Sequence, residues 1–144
     1  MDPIAFERLV QRILRESGFV QVEVTRRTAD GGIDGKGIMR VSGLISFPVI
    51  FQCKRYQGNV SSSHIRDFRG AMSGRTDKGL FVTTGRFTQD AKTEATREGT
   101  TMIDLLDGND LVDKLKELGL GVKSELEIKQ IEKITVQEEF FRNI

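Results

Sequence analysis

The residues of this chain whose types and spacing could do chemistry lie in two short stretches, Asp30-Gly-Gly-Ile-Asp34 and Val49-Ile-Phe-Gln-Cys-Lys-Arg-Tyr56. In an extended strand successive side chains alternate faces, so Gln52 and Lys54 share a face with Ile50, while Val49, Phe51 and Cys53 turn the other way. A lysine ending an apolar strand, beside an amide oxygen and near a carboxylate, needs a reason, because charged groups are rarely buried alone. Metal-dependent cleavage of a phosphodiester supplies one. That reaction needs a hard cation, a positioned water and a group that stabilises or protonates the developing charge. Magnesium takes oxygen ligands and keeps several waters, so one carboxylate with carbonyl partners suffices, and manganese is the natural substitute. Asp34 would supply the carboxylate, Gln52 its side-chain carbonyl, and Cys53, between Gln52 and Lys54, its backbone carbonyl. Lys54 would orient or activate the attacking water.

Elements must bring these groups together. Residues 34–41 and 47–54 read as an antiparallel pair joined around Ser42-Gly43, and a turn centred near Leu44 would set Asp34 opposite Lys54 at roughly 5 Å. Upstream, Asp2-Pro3 starts a helix whose Phe6, Leu9, Val10, Ile13 and Leu14 recur at helical spacing until Gly18. Residues 19–25 alternate Val20, Val22 and Val24 with polar side chains, the pattern of a half-buried strand. Downstream, Ser61, Ser62 and Ser63 offer caps for a helix with Ile65, Phe68 and Met72, ending near Gly74. Residues 79–84 form a short apolar strand buried on both faces. Thr88 caps a helix through Glu98, residues 101–106 read as a strand, and Asn109 or Asp110 caps a helix with Leu111, Val112, Leu115 and Leu118. The order α-β-β-β-α-β-α-β-α predicts an α/β fold, a mixed central sheet flanked by helices. Residues 1–122 form the expected domain. Residues 123–144 read as an appendage that packs on it or on a second copy.

Composition sets the frame. A chain of 144 residues, 38% hydrophobic and 30% charged, suits one folded domain and not a disordered segment. No apolar run approaches the roughly 18 residues of a membrane span, and no basic n-region with an apolar stretch follows Met1, so a cytoplasmic protein without a membrane partner is expected. One cysteine and one histidine exclude a disulfide within the chain and any cysteine or histidine metal cluster. The net charge of +1 hides an asymmetry: twelve Lys or Arg against five Asp give +7 between Arg26 and Lys92, leaving −6 elsewhere. The basic segment is the one that holds Asp34 and Lys54, which points to a polyanion.

The Asp–Gln–Lys arrangement resembles the PD-(D/E)xK nuclease superfamily, with glutamine in place of the second acid. The flanking sequence is similar to the Mrr-type restriction endonuclease catalytic domain from about Phe6 to Val122. It carries Phe6-Glu7, Asp30-Gly-Gly-Ile-Asp34, Gln52-Cys-Lys-Arg-Tyr56, Val60, the helix from Ile65 to Gly70, Gly79-Leu-Phe-Val-Thr-Thr-Gly-Arg-Phe87 and Ile103-Asp-Leu-Leu-Asp-Gly108. The resemblance implies a restriction-endonuclease-like core with Asp34, Gln52 and Lys54 as active centre. It further implies a magnesium-dependent endonuclease on double-stranded DNA, including methylated DNA, working as a homodimer. Specificity would come from loops, from a further recognition domain, or from a separate subunit. A structure-selective or repair nuclease of the same fold is one alternative, and a catalytically silent DNA-binding or assembly module is another.

The remaining candidates are weighed singly. Glu7 borders the apolar stripe of the first helix and reads either as a further metal ligand or as a first-turn acid favoured by the helix dipole. Arg55, Gln57, Arg66, Arg69, Lys36 and Arg86 are candidate contacts to the DNA backbone. Asp30 reads as a cap on the Gly31-Gly32 turn, Tyr56 as packing, and Cys53 as a core thiol. The serines read as caps and not as nucleophiles, and His64 as a solvated residue of the first helical turn. Thr83, Thr84 and Arg86 end a central strand, where site residues of open sheets gather.

Overall fold

The computed structural model describes residues 3–28, 31–56, 58–76 and 78–119. In chain order the elements are α1 (Pro3–Glu16), β1 (Phe19–Arg27), β2 (Ile33–Val41), β3 (Ile45–Lys54), β4 (Asn59–Val60), α2 (Ser62–Met72), β5 (Gly79–Thr83), β6 (Arg86–Phe87), α3 (Gln89–Ala95), β7 (Ile103–Leu106) and α4 (Gly108–Glu117). Five strands form one mixed sheet in the order β1-β2-β3-β5-β7, antiparallel through β3 and parallel beyond it. β4 and β6, absent from the sequence expectation, make a two-residue parallel pair beside it. Asp2, Asp30, Gln57 and residues 123–144 lie outside the described residues. Among the described residues no helix is long and apolar enough to cross a membrane.

Alternation along β3 divides the interior. Val49, Phe51 and Cys53 join Phe6, Val10, Ile13 and Leu14 of α1 and Leu111, Val112 and Leu115 of α4 in one core. On the other face Ile50 and Phe81 meet Ile65, Phe68 and Met72 of α2 and Ala91 and Ala95 of α3. Phe81 is held edge-on by Phe68 and Phe87, with ring centroids at 5.6 and 5.8 Å. Gly35 in β2 has a packing reason. A Cβ there would fall 2.3 Å from the Phe51 ring and 2.5 Å from the Glu23 carbonyl, so only glycine lets that ring lie against the strand.

Four expectations change. The helix capped by Thr88 ends at Ala95 and not at Glu98, with Thr96 as its C-cap. The β2–β3 turn spans Ser42-Gly43-Leu44 and centres on Gly43, with Ser42 and Gly43 both at positive φ. The pairing therefore shifts by two residues, and Asp34 stands opposite Gln52 instead of Lys54. β1 carries irregularities between Phe19 and Gln21 and between Val24 and Arg26, which turn Val20 outward to 48% exposure. The cap of α4 is Asp107, not Asn109 or Asp110: its carboxylate accepts from the Asp110 amide while Asp110 reaches back to the Asp107 amide.

Candidate active site

Cross-strand pairing sets Arg26, Asp34 and Gln52 in one row across β1, β2 and β3. Directly opposed residues of antiparallel strands project to the same face. Lys54, two residues beyond Gln52, shares it and ends β3. Asp34, Gln52 and Lys54 line one small cleft of about 80 Å³ together with Thr28, Gly32, Ile33, Cys53, His64 and Phe81. That is far below the several hundred Å³ of a drug-sized ligand site, and suits a hydrated cation and the edge of a phosphate arriving from outside. A larger cavity of about 630 Å³ lies between the α2–β5 and α3–β7 connections, at the opposite end of the parallel strands, and contains none of these residues.

The neighbouring backbone fixes the cleft. Thr28 closes the loop ahead of β2, its amide donating to the Gly32 carbonyl at 2.9 Å and its hydroxyl accepting from the Gly32 amide at 2.9 Å. Past Lys54, the Thr84 hydroxyl accepts from the Tyr56 amide at 3.0 Å and donates to the Tyr56 carbonyl at 3.2 Å. The Thr84 amide donates to the Lys54 carbonyl at 3.2 Å. A Cβ on Gly85 would lie 2.3 Å from the Gly58 carbonyl oxygen, so the two strand ends cross too closely for any side chain there. The strand-end expectation for Thr84 thus resolves into a clamp on the segment that follows the lysine. Lys54 Nζ stands 5.1 Å from the Tyr56 ring centroid, a cation–π distance, and the His64 ring meets Tyr56 edge-on at 6.3 Å. Tyr56 therefore does more than pack.

Hard oxygen donors fit a divalent cation of the magnesium type here: the Asp34 carboxylate, the Gln52 side-chain oxygen opposite it, and the Cys53 carbonyl between Gln52 and Lys54. Among the described residues no group of three or more His, Cys, Asp or Glu is placed to hold a metal, and Asp34 is the one carboxylate among those lining this cleft. The Cys53 thiol is fully buried on the α1 side, and burial, reinforced by the Asp34 carboxylate, pushes it well above the ordinary thiol range. It is the core thiol expected.

Glu7 departs from both of its readings. It lies beyond the first turn of α1, which holds no acid, and its carboxylate takes Arg27 in a two-pronged pair at 2.9 and 2.9 Å. Arg27 is paired with Ile33, whose side chain belongs to the α1 core, so this ion pair lies on the face away from Asp34. Arg69 also departs from its expected contact with DNA. It donates to the Glu94 carboxylate and to the carbonyls of Glu94, Ala95 and Thr101, joining α2, α3 and the approach to β7. Arg66 lies 3.7 Å from the same carboxylate with its side chain still 55% exposed. Lys36 pairs with Glu23 at 3.8 Å on the open outer strands, Arg86 is exposed on β6, and Arg55 packs over Gly31.

Sequence reasoning missed Arg26 and Thr28, and it read as solvated His64, which lines the cleft. Simple alternation puts Arg26 with Val22 and Val24, and only the irregularity after Val24 moves it to the Asp34 face. The signal for His64 was the Ser61-x-x-His64 spacing of a capping box, which folds the ring back toward the helix start and so toward the cleft.

The mixed sheet flanked by helices, with this cleft at the end of β3, is an architecture of the restriction-endonuclease type. The family Mrr_cat, described as restriction endonuclease, matches residues 1–115, and the chain belongs to it. The chain is 33% identical over 131 residues to the type IV methyl-directed restriction enzyme EcoKMrr of Escherichia coli K12, covering 88% of this chain and 42% of that protein. It thus spans less than half the length of that relative. Among solved structures, the DNA modification-dependent restriction endonuclease AspBHI aligns with a TM-score of 0.68 at 23% identity, over 94% of this chain and 36% of its own. The MspJI restriction endonuclease, in complex with a 27-mer oligonucleotide, aligns at 0.53 and 20% identity, over 91% and 31%. At such identities the likeness is one of fold, and it agrees with the mixed sheet flanked by helices described above.

Proposed function

We propose that this chain is the cleavage module of a modification-dependent DNA endonuclease, hydrolysing phosphodiester bonds at the Asp34–Gln52–Lys54 cleft with a divalent cation, magnesium or in its place manganese. The observation that carries the reading is a cleft in which one carboxylate, one amide oxygen and one ammonium converge at the carboxyl end of a central strand. Asp34, Gln52 and the Cys53 carbonyl would hold the cation. When bound, it would neutralise phosphate charge and acidify water. Lys54, steadied over Tyr56, orients the attacking water and offers its positive charge to the pentavalent phosphate. Arg26 and Lys36 on the bare outer strands, with Arg55, Gln57, Arg66 and Arg86, would take flanking phosphates. Recognition of methylated DNA would come from a further segment or subunit, as the coverage of longer relatives suggests, and a second copy would cut the other strand.

The test uses methylated and unmethylated plasmid with magnesium or manganese. Wild type should nick or cut the methylated plasmid, and Lys54→Ala should lose about 10²-fold or more in rate while keeping its melting temperature. Unchanged cleavage by Lys54→Ala would overturn the mechanism. Cleavage indifferent to methylation would favour the structure-selective or repair nuclease. DNA binding without cleavage, with no cation-binding heat lost in Asp34→Ala, would favour the silent module.

A further inference from the structure

The cleft contains one polar side chain with a role still to fill. His64 Nδ1 accepts a hydrogen bond from the Ser61 amide at 3.0 Å and contacts the Ser61 hydroxyl at 3.0 Å. A backbone N–H can only donate, so the Nδ1 lone pair is committed and the neutral ring carries its proton on Nε2. Tyr56 fixes the ring from the side. Among the described residues Nε2 has no hydrogen-bond partner, although the ring lines the cleft shared with Asp34, Gln52 and Lys54.

That tautomer narrows the chemistry. A protonated Nε2 has no lone pair, so it is neither a cation ligand nor a general base. It is a donor, and the acceptor that suits a cleft with an ammonium and a cation-type donor set is an anionic oxygen. We propose that His64 is a substrate-contacting residue, its Nε2–H donating to a non-bridging oxygen of the phosphodiester seated at Asp34, Gln52 and Lys54. The inference rests on the reading of this cleft as the cleavage site. Ser61 sets the donor, and the helix cap and the phosphate contact are two ends of one imidazole.

The chain has a single histidine, so its ring nitrogens are observable without ambiguity in protein labelled with 15N-histidine. Long-range 1H–15N spectra should show the Nε2–H tautomer. Adding a DNA duplex in EDTA should move the Nε2 resonance further than the Nδ1 resonance. An Nδ1–H tautomer, or an Nε2 resonance that stays put while anisotropy reports bound DNA, would overturn the proposal. This measurement needs no cleavage, so it decides on His64 even if the nuclease reading fails.

Cleavage supplies the second arm. Gln and Glu both complete a capping box at this position, so His64→Gln and His64→Glu should melt alike. Gln keeps an N–H donor, whereas Glu turns a carboxylate toward the phosphate. His64→Gln should cleave within a few-fold of wild type, and His64→Glu should fall about tenfold or more, as expected for losing a hydrogen bond to a charged group. A His64→Glu enzyme as fast as wild type would reduce His64 to a helix cap.

Discussion

Single side chains in this domain are sorted by what they face. Glu94 is 9% exposed in its side chain, yet three guanidiniums surround it, those of Arg66, Arg69 and Arg97. Burial would raise this carboxyl, but hydrogen bonds from Arg69 and Arg97, and their charges, outweigh it and hold the group below the ordinary value of 4.5. A depressed carboxylate stabilises the fold above its unfolded pKa and loses that contribution as pH falls through the folded one. Wild type should therefore lose melting temperature below about pH 4.5, and Glu94→Gln should flatten that limb of the profile. A profile unchanged by Glu94→Gln would mean that other carboxylates set the acid limit. Here the sequence was misleading: nothing in the spacing of Arg66 and Arg69 distinguishes an arginine that binds DNA from one spent on a carboxylate twenty-five residues away.

At the scale of elements, the helices and the five main strands were legible because their hydrophobic periods are strong, as in Phe6, Val10, Ile13 and Leu14 of α1. The pairing of Asp34 was not, because register depends on how many residues a turn consumes, and period-2 patterns look identical after a shift of two. Arg26 was lost to the same cause, an extra residue in β1. Both errors fall on the strands that build the cleft, so the nearness of Asp34, Gln52 and Lys54 was easier to read than their geometry. The junction of β3 and β5 yields a sharper expectation. Thr84→Val keeps the shape of the side chain and removes both of its bonds to Tyr56, which should cost about 1–3 kcal/mol. It should also lower cleavage more than it lowers DNA affinity, since Lys54 loses the support of Tyr56. Equal losses in both would show that Thr84 acts on the fold alone.

For the whole molecule, the charge division matters more than the total. The +7 segment from Arg26 to Lys92 includes β2 and the last two residues of β1, where Arg26 and Lys36 are exposed. DNA affinity should fall steeply with salt, and Arg26→Ala or Lys36→Ala should each reduce the slope of log affinity against log salt by about 1. A slope that neither change alters would place the DNA on another surface. None of this was visible in a net charge of +1; it emerged only when the charges were counted by segment and assigned to a face.

The candidate centre stands on β3, a strand paired on both sides and packed on both faces. Its groups therefore cannot be dismantled without dismantling the domain, and the fold offers no cheap way to hold them apart until a target arrives. With the proposed function, such a blade would need only its cation to be sharp. The safety of a genome carrying it would then rest on admission, on whatever governs when a DNA strand is laid across the open outer strands, and not on assembly of the cutting edge.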